Sequence, residues 1–145
     1  MNREDTVRTL LNAISIFTNR DWGSSEKNNA ATELTRHIQK AVNLRDEIEM
    51  EKLVKEIQHF MSATFLLFRR MERLVEWHGQ KEWRTPEDTK IWRNLVERTS
   101  TIVRRRDGTE LVEIAPRIIA FLRKRNEHVL AQNLEDALCA CKSER

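Results

Sequence analysis

Arginine is the residue with which this chain could do most chemistry, and it comes in runs. Arg69, Arg70 and Arg73 stand together, Arg104, Arg105 and Arg106 form an unbroken triplet, and Arg123, Lys124 and Arg125 form another. Lys81, Trp83 and Arg84 fall between the first two runs, in the segment 80–84 (QKEWR), with Trp77 before it and Trp92 after it. Guanidinium forks match phosphate and carboxylate oxygens, and Arg outnumbers Lys 18 to 8. Following a phosphate backbone needs several cations on one surface, and holding single strands adds aromatic faces on which bases stack. The segment 80–84 supplies both, since Trp83 lies outside any apolar stripe. These residues are therefore expected to contact RNA or single-stranded DNA. The competing account is structural: cations near helix C-termini offset the helix dipole, and Arg69 and Arg73 can pair with Glu72 and Glu76.

Two segments match Arg-x4-His, Arg73 to His78 (RLVEWH) and Arg123 to His128 (RKRNEH). The spacing resembles the catalytic motif of HEPN-type ribonucleases, all-helical domains in which an Arg and a His on one helix meet a second copy across a dimer. That resemblance implies RNA cleavage, with the His as general acid–base beside a phosphate-holding Arg. His78 falls on the apolar stripe described below, so the ribonuclease stands third among the readings. Metal chemistry finds less support. Glu56 and His59 make one Glu-x-x-His, whereas a di-iron bundle needs two such pairs and two further carboxylates. Cys139 and Cys141 are two apart, which is no zinc spacing and puts the thiols on different faces of a helix. No phosphate-binding glycine loop or nucleophile motif is present, and neither a metal nor a small-molecule cofactor is expected.

The elements that must position these residues are helices. An apolar stripe repeats from Met50 to His78 with Leu53, Phe60, Leu67 and Leu74 beside Val54, Met61, Phe68 and Val75, and neither Gly nor Pro interrupts it. Three apolar positions in seven mark a helix that packs into a core, and one helix over about 46–78 would run ~50 Å. The remaining segments read as a helix from near Asn2 with Val7, Leu10, Leu11, Ile14 and Phe17 inward, a loop from Asn19 to Ser24, and a helix over about 25–44. A further helix opens at Thr85-Pro86 and ends at Asp107-Gly108, burying Ile91, Trp92, Leu95, Ile102 and Val103. After a short turn that Pro116 ends or kinks, a last helix reaches about Cys141, presenting Val129 among its apolar residues, and its stripe weakens around Asn126, where it can break in two. Gly79 reads as a left-handed helix cap.

The expectation is an all-α protein, one domain over 1–145, built as a single compact bundle of five or six helices around the long central helix. Residues 1–68 hold 9 Lys+Arg against 10 Asp+Glu, and residues 69–125 hold 15 against 9, within a net charge of +3. No stretch is apolar enough to span a membrane, and two free thiols without a disulfide framework suggest the cytoplasm. The leading functional reading is a non-catalytic subunit of a nucleoprotein complex, similar in type to the small helical subunits of CRISPR effector complexes. Its N-terminal half would contact protein subunits, and its Arg-rich half the nucleic-acid backbone. The main alternative is a helical protein–protein interaction module or regulator that binds no nucleic acid.

Overall fold

The computed structural model describes residues 2–18 and 20–143, and Asn19 of the expected loop lies outside them. Among the described residues there are seven α-helices and no strand. They form two compact units, 1–62 and 63–145.

The first unit holds α1 (Arg3–Phe17), α2 (Ser25–Leu44) and α3 (Glu47–Phe60). Each begins on a polar side chain that accepts an otherwise unpaired backbone N–H: Asn2 from Asp5, Ser24 from Lys27 and Asp46 from Glu49. Arg3 meets Glu47 at one end of α1, and Phe17 stands edge-on to Phe60 at the other, so α1 and α3 run parallel. The connecting helix α2 returns between them. Leu10, Ala13, Ala31, Ile38, Met50 and Leu53 fill the interior. Trp22 closes one end, its ring 5.4 Å from that of Phe17 and 4.9 Å from that of Phe60.

The second unit is an up-and-down bundle of α4 (Phe65–His78), α5 (Pro86–Arg105), α6 (Gly108–Lys124) and α7 (His128–Ser143). Each helix packs on the next, and α7 returns to α4. Particular bonds fix the directions. The Trp92 indole Nε1–H near the start of α5 donates to the His78 carbonyl at the end of α4, 2.8 Å away. At the other end of α4, the Cys141 thiol donates to the Ala63 carbonyl. Leu67, Met71, Leu111, Ile118, Leu122, Leu134 and Ala137 are among the side chains at the centre.

Several expectations are corrected. The long helix over 46–78 does not form, because the chain turns at 61–64 between α3 and α4. There the Ser62 hydroxyl donates to the His59 carbonyl at 2.7 Å and the Ser62 amide makes a tighter i−3 bond to it, drawing the backbone off the helical ladder. Seven helices replace five or six, because the stripe serves two cores in succession. Helix α6 continues through Pro116, which is exposed, and the chain breaks at 125–127, at the weak stripe around Asn126 where the sequence allowed a break. Gly79 is right-handed (φ −61°). It is a glycine because an added Cβ would sit 2.3 Å from the Val75 carbonyl oxygen. Leu11, Ile91 and Val129, expected inside, are 50%, 42% and 84% exposed. The two thiols do take different faces, Cys139 exposed and Cys141 buried.

Candidate functional site

Most of the cations singled out in the sequence have partners inside the second unit. Lys81 Nζ lies 2.5 Å from Glu127 Oε1 and 4.4 Å from the centre of the Trp83 ring. Arg125 donates to Asp88 Oδ1 at 2.6 Å and to the Phe121 carbonyl, with its guanidinium 3.5 Å above the Phe121 ring. Arg123 pairs with Glu135, tying α6 to α7. Arg70 donates to the Asn133 carbonyl at 2.6 Å, tying α4 to α7. Arg69 lies over Phe65, and Arg73 over Trp77. Trp83 is no open stacking platform. It is half-buried with ring contacts to Trp92 at 5.5 Å and Phe121 at 5.1 Å, its backbone N–H donating to the Thr89 hydroxyl. The loop 80–84 is thus clamped onto an aromatic cluster by partners dozens of residues away. The Arg125 hydrogen bond is the main cause holding the Asp88 carboxyl below its ordinary value, with burial working against it and the charge attraction adding to it.

Nor do the three runs meet on one side. Arg125 sits against Asp88 at the start of α5, whereas Arg104, Arg105 and Arg106 lie at its end, beside the Gly108–Thr64 contact. At 1.5 Å per residue, the stretch of α5 from Asp88 to Arg104 separates these places by ~24 Å.

A different cationic surface emerges. Opposite its buried Trp92, Thr99 and Ile102, α5 exposes Lys90, Arg93, Arg98, Arg104 and Arg105. At ~100° per residue these five fall within an arc of roughly 140°, spread over ~22 Å of axis. Glu87 and Glu97 are the acids exposed on that face, and Arg93 reaches Glu82 only loosely, at 4.0 Å. Arg84, also exposed, extends the row beyond the start of the helix, and Lys124 is exposed at the end of α6. Of the residues named from sequence, the row on α5 therefore holds Arg104 and Arg105, with Arg84 before its start, while Arg106 caps the helix in the left-handed conformation outside the row. The row adds Lys90, Arg93 and Arg98, none of which stands next to another cation in the sequence. The available signal was spacing: Arg98 and Arg105 are seven apart and lie on one side, whereas consecutive residues wrap around a helix.

Of the two Arg-x4-His segments, Arg73 and His78 share α4, but Arg123 lies on α6 and His128 opens α7. The second pair therefore lacks the common helix that the HEPN resemblance requires. Among the described residues, no three His, Cys, Asp or Glu side chains gather as a metal site, and no helix is long and apolar enough to cross a membrane. Comparison with known proteins found no matching family model, no matching curated protein and no matching solved structure.

Proposed function

We infer that this chain is a non-catalytic helical binding protein of a nucleoprotein assembly, and that it follows an RNA or single-stranded DNA backbone along the outer face of α5. The observation that carries this reading is the row Lys90, Arg93, Arg98, Arg104 and Arg105, exposed on one side of one helix with two acids among them. Cations at intervals along ~22 Å suit a chain of phosphates better than a compact ligand. Such contacts carry no base information, so the affinity is insensitive to sequence and sensitive to salt.

Five contacts to a single strand predict a log–log salt slope of about −3.5, roughly a hundredfold loss of affinity between 50 and 200 mM salt. Reversing Arg98, Arg104 and Arg105 to Glu weakens binding to every oligonucleotide and flattens that slope. These side chains are exposed, so the urea midpoint should barely move. Affinity independent of salt, or unchanged in the triple variant, overturns the reading.

A protein-only role has one observation in its favour. The first unit exposes Leu11, Ile16, Leu44, Ile48 and Met61, each about half exposed or more, as surfaces for protein partners do. In the leading reading this unit contacts protein neighbours while the second contacts nucleic acid. In the protein-only reading, micromolar protein leaves a labelled oligonucleotide unshifted while sizing shows a stable oligomer.

A further inference from the structure

We propose that the groove where α5 begins holds a terminal phosphate of the bound strand, a phosphomonoester as distinct from the diesters along the rest of the row. The inference rests on the nucleic-acid reading and deepens it. The groove is about 460 Å³, within the range of small-ligand sites, and lies between the loop 80–84 and the first turns of α5. Three cations line it, Arg84, Lys90 and Arg93, all exposed. At this end of α5 the row borders a concavity. Trp83 and Pro86 form its apolar wall, and the Trp83 ring cannot swing away because it is held between Lys81, Trp92 and Phe121. Thr89 also lines the groove, but its hydroxyl is engaged with the backbone of Trp83 and Thr85.

The charge count selects the ligand. A diester carries one negative charge, whereas a phosphomonoester carries about −1.5 to −2 at neutral pH and three oxygens that accept strong hydrogen bonds. Three converging cations exceed what one diester needs. They match a terminal group, and the walled shape suits a strand that stops there. One carboxylate opposes this, Glu82, which also lines the groove. Its side chain is 81% exposed and its pairing to Arg93 is 4.0 Å long, a contact weak enough for a phosphate to displace.

The test compares strands of one sequence bearing a 5′-phosphate, a 3′-phosphate or hydroxyls at both ends, by fluorescence anisotropy on the full chain. A phosphate on one end should tighten binding roughly tenfold, the worth of one net charge-assisted hydrogen bond, and the two phosphorylated strands identify which end is held. The gain disappears in Arg84→Ala/Lys90→Ala. It persists as a ratio in Arg98→Ala/Arg105→Ala, where all three strands bind more weakly. Glu82→Gln, which removes a charge without removing bulk, enlarges the gain. If the wild-type protein binds all three strands equally, or if the gain survives loss of Arg84 and Lys90, the terminal-phosphate site is wrong while backbone binding stands. If no strand binds, both fall.

Discussion

Asp88 and Arg125 are 37 residues apart in sequence, and their contact joins the first turn of α5 to the turn after α6. The hydrogen bond from Arg125 lowers the Asp88 pKa from its ordinary 3.8. A carboxyl depressed on folding contributes stability that is fully present above the unfolded value and is lost as pH falls through the folded one. Urea midpoints of the wild-type protein should therefore decline below about pH 4, and Asp88→Asn should have a lower midpoint at neutral pH with a shallower acid decline. A parallel decline in both proteins would remove the pair from the acid response. This contact also explains why the partners of these cations are not legible in the sequence. Nothing near Lys81, Arg123 or Arg125 names Glu127, Glu135 or Asp88 as a partner, because those pairings exist only once the helices are assembled. The packing of Trp83 is hidden for the same reason, its aromatic neighbours Trp92 and Phe121 arriving from α5 and α6.

The junctions between helices repeat one device. Arg45, Arg106 and Asn126 all have positive φ, at 54°, 53° and 63°. At each, the amide of that residue and of the next reach back to the ending helix, as Arg106 to Val103 and Asp107 to Ile102, the pattern of a Schellman motif. Asp46 and Asp107 then cap α3 and α6, so helices are joined through two residues. Left-handed backbone costs a residue with a Cβ about 1–2 kcal/mol. Arg45→Gly and Arg106→Gly should each raise stability by up to ~1 kcal/mol, net of the greater freedom glycine has when unfolded, as a higher urea midpoint; a lower one would mean that the Arg side chains hold the turns. Helix existence was legible here, because Thr85-Pro86 and Asp107 announce ends in local chemistry. The break at 61–64 was not. Its apolar spacing continues unbroken on both sides, and only the backbone bond pattern around Ser62 marks the turn.

At the scale of the molecule, the division into 1–62 and 63–145 coincides with a division of charge. The first segment holds 9 Lys+Arg and 10 Asp+Glu, the second 17 and 13. The uneven charge was readable in the sequence, but its placement along α5 was not, since a linear count cannot separate cations spent on internal carboxylates from cations left on a face. If the cationic row is the binding surface, saturating oligonucleotide should slow amide hydrogen exchange in the second unit and leave α1, α2 and α3 unchanged. At a hundred times Kd the stabilisation of the bound unit is ~2.7 kcal/mol, large enough to read residue by residue. Protection appearing mainly in α1–α3 would relocate the site.

The ring of helices in that unit has a consequence for its biogenesis. Consecutive helices touch, so most of the assembly can proceed as the polypeptide emerges from the ribosome, but α7 must come back to α4 before the circle is complete. Until α7 has been synthesised, the apolar sides that α4 and α6 turn toward it lie open to water and to other nascent chains. Helix α7 is therefore the clasp of this ring, and the interval before it arrives is when the core of this unit is open to aggregation.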